Sequence, residues 1–338
     1  MDQEKMWQLA VDQAAKQYGK GTIETLSEMK ERNQGITTST GCFQLDQRLG
    51  GSGYPKGRFI ELFGPPGVGK TTMALQAVAD CQSKGGRCLY IDAERKLDPG
   101  YAKSMGVNAD MLFVHRPDYA EQALDVLEST VRSGAVHLVV IDSIAALCTK
   151  AAVEADMEDT FAGSIAKTLA HALPKLVGPV ADTQTTVLLL NQIRMKIGVM
   201  FGNPEKTTGG QAIQFFSSVR LDVRAIGAVK QQNVVVGRRL RIKLSKNVVG
   251  TSIEPVEIDH IFGQGLDKAG ELLDLAIDKQ LMTTQGGWFT KSGAWYSYGD
   301  ERMGQGRLAA RAWLYQRPDI VEEIEQALRE QHFASQET

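Results

Sequence analysis

The run Gly64-Pro65-Pro66-Gly67-Val68-Gly69-Lys70-Thr71 constrains this chain more than any other stretch. It fits G-x-x-x-x-G-K-[ST], the pattern of a loop that wraps nucleotide phosphates. Such a loop needs a strand leading in and a helix leading out. Phe59–Phe63 is an apolar run that predicts a buried strand, and Thr71-Thr72-Met73-Ala74-Leu75-Gln76-Ala77-Val78 predicts a helix. Glycines let backbone N–H groups turn inward around an anion, and the helix N-terminus adds partial positive charge. Lys70 then reaches the β- and γ-phosphates of the nucleotide, and the Thr71 hydroxyl holds Mg²⁺. Gly64, Pro65, Pro66, Gly67, Val68, Gly69, Lys70, Thr71 and Thr72 are therefore the first candidate nucleotide-binding residues.

The rest of the chain repeats the same alternation. Strands are expected at Arg58–Phe63, Arg87–Asp92, Met111–His115, His137–Asp142, Thr185–Asn191 and Ser218–Arg224, and helices at Lys70–Gln82, Tyr119–Arg132 and Gly163–Leu176. Strand and helix in turn predict an α/β fold, a mainly parallel sheet with helices on both faces. Leu138–Ile141 and Thr186–Leu190 are apolar or nearly so throughout, as strands covered on both faces should be. Arg238–Lys246 then alternates, with Leu240, Ile242 and Leu244 on one face and Arg239, Arg241 and Lys243 on the other. That is a half-exposed, antiparallel strand, and Pro255–Phe262 reads as another.

From Leu266 a small α+β unit is expected, with a helix near Glu271–Asp278 and an aromatic-rich strand region around Trp288, Trp295, Tyr296 and Tyr298. At the other end Glu4–Tyr18 reads as an amphipathic helix, which packs on its own core or on a neighbouring copy. Glu28–Gly35 reads as a polar linker. The expected organisation is residues 1–32 as helix and linker, 33–266 as the nucleotide-binding core and 267–338 as the small C-terminal domain.

Bulk properties exclude several classes. With 338 residues and a net charge of −2, the chain has no global basic surface, so any nucleic-acid site must be local. Cys42, Cys81, Cys88 and Cys148 are scattered and form no C-x-x-C pair, which argues against a zinc site or a disulfide framework. The N-terminus has no apolar signal core, and no stretch approaches the ~20 apolar residues of a membrane helix. A cytoplasmic protein without a membrane role is the expectation.

Three further segments carry chemistry. Leu138–Ile141 ends in Asp142, at the carboxyl edge of a strand, where α/β sheets bind ligands. There Asp142 supports Mg²⁺. Leu89-Tyr90-Ile91-Asp92-Ala93-Glu94 is a second strand ending in acid, with Glu94 the candidate general base and Asp92 structural. Asn191-Gln192 closes Thr186–Leu190, and an amide at Gln192 can contact the γ-phosphate. The segment that follows, Ile193–Gly210, mixes cations, apolar residues and glycines without a period. A loop with cations for phosphates and apolar side chains for bases suits single-strand binding.

Together these residues resemble the bacterial RecA recombinase family over nearly the whole chain. The resemblance is carried by Ser39-Thr40-Gly41, the phosphate loop, Ile91–Glu94 with Leu97-Asp98-Pro99, Ile141-Asp142-Ser143 and Asn191–Glu205. It continues through Ser218–Asp222, Ile226–Lys230 and Gly293–Tyr298. It implies a RecA-type core, with an ATP-dependent helical filament on single-stranded DNA that pairs with homologous double-stranded DNA and exchanges strands. Nucleotide lies between subunits, and a self-cleaving repressor is a further partner in relatives.

By this resemblance Glu94, Lys70, Gln192 and Lys246 are catalytic. Asp98, Tyr101, Asp142 and Phe262 join the nucleotide site, with Tyr101 stacking on adenine. Arg194, Met195, Lys196, Ile197, Val199, Met200, Phe201, Asn203, Lys206, Thr208, Gly209 and Gly210 form the main DNA loop. Glu154–Phe161 forms another, and Arg224, Arg241 and Lys243 a secondary DNA face. The N-terminal helix docks on the next subunit, and Phe215 is a subunit contact.

The chain departs from the family pattern in places. Val248 stands where a second lysine usually follows Lys246, which implies weaker DNA-stimulated hydrolysis. Ala225 replaces an arginine of the secondary DNA face, for which Arg238 and Arg239 are expected to compensate. Phe262 is usually tyrosine. The acidic tail common in the family is not found at Ser335–Thr338, which implies easier DNA loading. Two other readings stay in view, a ring-forming replicative helicase and a nucleotide-switched filament protein. A helicase of this fold lacks the Arg194–Gly210 run, and a pure switch has no use for Glu94 and Gln192.

Overall fold

The computed structural model describes residues 3–19, 21–28, 36–51, 53–156, 163–195, 204–250, 253–281 and 289–334. The chain forms two compact units, Met1–Ile36 and Thr37–Thr338. The first is built on the helix Gln3–Tyr18, in which no side chain is buried. Its Met6, Trp7, Leu9 and Tyr18 are all exposed.

The second unit is organised by one sheet. Its strands are β1 (Phe59–Gly64), β2 (Cys88–Asp92), β3 (Leu112–His115), β4 (Leu138–Asp142), β5 (Thr186–Met195), β6 (Glu205–Thr207), β7 (Ser217–Gln231), β8 (Val234–Asn247), β9 (Val256–Ile261) and β10 (Gly265–Leu266). They lie in the order β10-β9-β8-β7-β1-β5-β4-β2-β3, with β6 paired to β5. Contacts from β7 through β1, β5, β4 and β2 to β3 are parallel. Those of β7 with β8, β8 with β9 and β9 with β10 are antiparallel. The expectation of a mainly parallel sheet with an antiparallel extension therefore holds.

The parallel strands are central because they can be buried on both faces. Every residue of β1 is buried. On one face, Leu124, Leu127 and Val131 of the helix Ala120–Arg132 and Leu169, Leu173 and Leu176 of Ser164–Asp182 pack with Val139, Ile141, Val187 and Leu189. The helix after the phosphate loop runs Lys70–Ser83 and buries Met73, Leu75, Ala77 and Val78. In β8 the alternation is as expected, with Leu240, Ile242 and Leu244 buried and Arg241, Lys243 and Ser245 exposed.

Two elements exceed their expected ends. The helix predicted to close near Leu176 continues to Asp182 through Pro174 and Pro179. Each proline costs a helical hydrogen bond, but Val180 still reaches the core and holds the last turn. The β7–β8 hairpin runs out to Gln231 and Val234. Its two-residue turn, Gln232-Asn233, has positive φ at both positions, the geometry that matches strand twist.

The C-terminal part carries a three-stranded antiparallel sheet of β11 (Phe289–Ser292), β12 (Trp295–Tyr298) and β13 (Glu301–Gln305). With the helices Lys268–Asp278, Arg307–Tyr315 and Pro318–Ala334 it encloses a core of Leu272, Leu273, Tyr296, Leu314 and Ile324. Phe43 joins that core, and the buried Glu271 carboxylate accepts from the Phe43 and Gln44 amides at 2.7 and 2.9 Å. Trp288 lies outside the described residues.

Candidate nucleotide and DNA site

Parallel register brings the functional residues together. β2, β4, β5 and β1 are neighbours, and their carboxyl ends line up, with Asp92 opposite Asp142 and Gln192 opposite Gly64. The phosphate loop starts at Gly64, where a Cβ would collide with the carbonyl oxygen of Val223. It ends at Gly69, whose φ of 104° lets the chain turn into the helix that starts at Lys70. A cavity of about 440 Å³ opens here, lined by Gly67, Lys70, Thr71, Thr72, Glu94, Lys96, Tyr101, Asp142, Ser143, Gln192, Arg238, His260 and Phe262, among others.

At one end the polar groups form a continuous network. Lys70 Nζ donates to the Gly64 and Pro65 carbonyls at 3.0 and 2.8 Å. Burial lowers its pKa, while Asp142 and Glu94 oppose that. Thr71 Oγ1 donates to Asp142 Oδ2 at 2.8 Å, and the Tyr90 hydroxyl donates to the same oxygen at 2.6 Å. Burial pushes the Asp142 carboxyl up; the Tyr90 and Thr71 donors offset it only in part, and Glu94 and Asp92 add to the rise.

Glu94 Oε1 accepts from Ser143 Oγ at 2.7 Å and from Gln192 Nε2 at 2.9 Å, and Lys96 Nζ donates to Oε2 at 3.0 Å. Burial alone would raise this carboxyl. The bonds from Ser143, Lys96 and Gln192, with the Lys96 charge, hold it below the ordinary range. Glu94 is thus an ionised, oriented acceptor at neutral pH. Asp92 accepts from the Lys96 and Leu97 amides and braces the turn.

This donor set fits Mg²⁺. Among the described residues no trio of His, Cys, Asp or Glu could cage a metal. A magnesium ion needs no such cage, since it keeps waters and takes one or two protein oxygens beside the substrate's phosphates. The raised Asp142 carboxyl, beside Glu94 and Asp92, is the charge that such a cation relieves.

Two aromatic rings also line the cavity. Tyr101 stands in the helix Pro99–Ser104, its hydroxyl 2.5 Å from Thr72 Oγ1. Asp98 caps that helix by accepting from the Tyr101 amide at 2.6 Å and does not line the cavity. Phe262 is half exposed and carries the Arg238 guanidinium 5.6 Å from its ring centroid. Arg238 Nη1 donates to the Gly67 carbonyl at 2.6 Å. The expectation that Arg238 supplements the DNA face is therefore corrected. Strand parity sets it on the face opposite Arg239 and Arg241, against the phosphate loop. Arg239 pairs instead with Asp259 at 3.0 Å and Glu257 at 3.6 Å.

The segment after Gln192 stays ordered for longer than its composition predicts. β5 continues to Met195, and Arg194 pairs in register with Lys206 of β6. Lys196, Ile197, Val199, Met200, Phe201 and Asn203 lie outside the described residues, as do residues 157–161 of the other expected loop. Asn191 Nδ2 donates to Glu61 Oε1 and to the Thr208 carbonyl, both at 2.8 Å, which ties β1 to the returning arm. Gly209 and Gly210 both take positive φ where the arm enters the helix Gly210–Phe216.

Arg224 is held by Glu205 at 2.6 and 2.8 Å and by Asp222 at 2.6 Å, so its charge is engaged within the chain. Arg241 and Lys243 are exposed, with Glu257 3.8 Å from Arg241. Lys246 is not brought to the phosphate loop. It donates to the Gln214 and Phe215 carbonyls at 3.1 and 2.8 Å and lines a separate groove with the exposed Phe215. Val248 beside it is exposed.

Sequence reasoning missed Tyr90, Lys96, Ser143 and His260 as site residues. Tyr90 sits two residues before Asp92, and His260 two before Phe262, so period-2 alternation was an available signal for both.

Comparison with known proteins agrees over the whole of this architecture. Residues 5–267 match the family described as RecA N-terminal domain, and residues 270–332 the RecA C-terminal domain. The chain is 47% identical over 332 residues to the protein RecA of Cereibacter sphaeroides, covering 98% of this chain and 95% of that one. It is 46% identical to RecA of Nitrobacter winogradskyi, covering 98% and 89% of the two chains. With RecA of Staphylococcus aureus the identity is 47%, over 97% and 92%.

Proposed function

We infer the function from one premise: this chain belongs to the RecA family. It is a homologous DNA recombinase that forms a filament on single-stranded DNA, pairs it with homologous duplex and exchanges strands. ATP hydrolysis drives the cycle, which makes the chain a DNA-dependent ATPase. Its division of labour follows residues 1–32, 33–266 and 267–338.

The phosphate loop and Lys70 take the substrate's phosphates. Thr71 and Asp142 would hold Mg²⁺, partly through water, and the cation would supply positive charge for the phosphoryl oxygens. Tyr90 fixes Asp142, so the carboxylate does not have to reorganise. Glu94 orients the attacking water. It is the general base of the reading, held ionised by Ser143, Lys96 and Gln192, and loss of the exposed Lys96 contact would raise its basicity.

The observation that carries this reading is the 2.9 Å bond from Gln192 Nε2 to Glu94 Oε1. Gln192 belongs to the strand that runs on into Arg194 and Met195, whose partners are Lys206 and Glu205. A change at Glu94 on hydrolysis therefore moves the stem of the DNA segment directly, through one side chain and one strand. The single-strand contacts of this reading are Arg194, Met195, Lys196, Ile197, Val199, Met200, Phe201, Asn203, Lys206, Thr208, Gly209 and Gly210, with duplex taken by Arg241 and Lys243 and by Arg224 once it leaves Glu205.

Filament growth uses surfaces that one chain leaves uncovered. These are the exposed face of Gln3–Tyr18 and the groove with Phe215 and Lys246. The decisive assay is ATP turnover with and without single-stranded DNA, followed by strand exchange between homologous DNAs. Stimulated turnover with exchange is expected. ATP-driven unwinding without pairing, or binding without turnover, would overturn the assignment.

A further inference from the structure

We propose that His260 reads the base of the bound nucleotide, through a hydrogen bond from its ring to the heterocycle; this rests on the nucleotide reading above. His260 is only 6% exposed, yet neither Nδ1 nor Nε2 has a hydrogen-bond partner among the described residues. Buried polar groups in folded proteins are nearly always paired, because leaving one unpaired is costly. An imidazole with both nitrogens orphaned is a group that the fold itself does not use.

Its position says what could use it. The ring lines the same cavity as Lys70 and Thr71. It abuts the phosphate loop, with Nδ1 3.3 Å from the place a Cβ on Gly69 would occupy. Phe262 meets it edge-on, with ring centroids 6.0 Å apart at 81°. Arg238, bonded to the Gly67 carbonyl, closes the same side.

Two aromatic rings from separate elements, Tyr101 and Phe262, suit a flat heterocycle, and the orphaned imidazole supplies the polar contact that aromatics lack. Burial and the Arg238 charge both lower the imidazole's pKa. A neutral ring keeps one donor and one acceptor, so it can serve either kind of atom on a purine edge.

The test uses the full chain with Mg²⁺ and calorimetric dissociation constants for ATP, GTP and inorganic tripolyphosphate. His260→Leu is expected to weaken ATP about tenfold, the equivalent of one lost hydrogen bond. Tripolyphosphate should stay within about twofold, since it has no base to read. His260→Gln, which keeps a donor and an acceptor, should recover part of the ATP loss and alter the ATP-to-GTP ratio.

If both variants bind ATP as the wild type does, the inference falls. Equal losses for ATP and tripolyphosphate would make His260 a support for Gly69 and overturn it as well. A lower melting temperature for both variants would also overturn it, by giving the ring a place in the fold. In each of these cases wild-type ATP binding remains and the nucleotide reading stands. A wild type that binds neither ATP nor tripolyphosphate overturns that reading and this one together.

Discussion

Among the described residues, the polar groups that line the cavity fall into two kinds, those bonded within the chain and one that is not. At the phosphate end Lys70, Thr71, Asp142, Glu94, Ser143 and Gln192 are all hydrogen bonded within the chain. His260, packed against Gly69, has no such bond among the described residues, although its neighbours Tyr101 and Arg238 in the cavity lining do. Charge develops at the phosphates during hydrolysis, and Asp142, Glu94 and Gln192 are already oriented for it, whereas Lys70 exchanges the Gly64 and Pro65 carbonyls for phosphate oxygens. The base undergoes no chemistry. A group there needs only to recognise, and an unpaired one keeps its full bonding capacity for the ligand.

The contrast is most severely tested at Lys70. Lys70→Ala should lower ATP turnover about 10³-fold, by removing a cation aimed at the developing charge. Phosphate release with saturating single-stranded DNA measures it. A loss below tenfold would mean that another cation does this work.

Glu94→Gln comes next, with turnover falling about 10²-fold and ATP affinity nearly unchanged. The amide keeps the shape but loses the negative charge that Ser143, Lys96 and Gln192 surround. Turnover and equilibrium binding measured on one preparation separate the two effects. Should affinity fall as far as turnover, Glu94 holds the substrate and does not align water.

Val248→Lys asks whether the phosphate end is complete. The resemblance puts a second lysine two residues after Lys246, to be offered to a neighbouring copy. Restoring it should raise DNA-stimulated turnover about tenfold. No change in rate would mean that Lys246 alone suffices, or that Val248 lies outside the reacting centre.

The smallest effect concerns pH and the base end. The folded state holds His260 below its ordinary pKa of 6.5, through burial and the Arg238 charge. Well above 6.5 the ring is neutral in both folded and unfolded chains and contributes nothing to pH dependence. As pH falls through 6.5 the unfolded chain takes up the proton first, so folding loses stability until the folded pKa is passed. Wild type should therefore lose stability relative to His260→Leu between about pH 7.5 and 5.5. Urea midpoints across that range measure it, and parallel curves would mean that folding leaves the imidazole's pKa unchanged.

Legibility in the sequence followed the range of the interaction. β4 could be read because an apolar run ending in acid is a local pattern, and its burial on both faces follows. The phosphate loop could be read because every residue of the motif serves one anion. Glu94 was readable as an acid just past a strand end. Arg238 was misread, since the charge run Arg238-Arg239 looks like one basic patch while strand geometry sends the two side chains to opposite faces. Arg224 was readable as basic, but not its capture by Glu205, nineteen residues away across a loop.

By itself the sequence determined the α/β class, the phosphate loop, the acids at two strand ends and the family resemblance. All of these rest on residue type and short spacing. Only the tertiary structure decided how those parts meet. Parallel register set Gly64 beside Gln192 and Asp92 beside Asp142, and so assembled one network from four strands. It also left His260 buried against Gly69 with no hydrogen-bond partner among the described residues. An absent partner is a property of everything around a residue in space, and no local pattern of side chains encodes it.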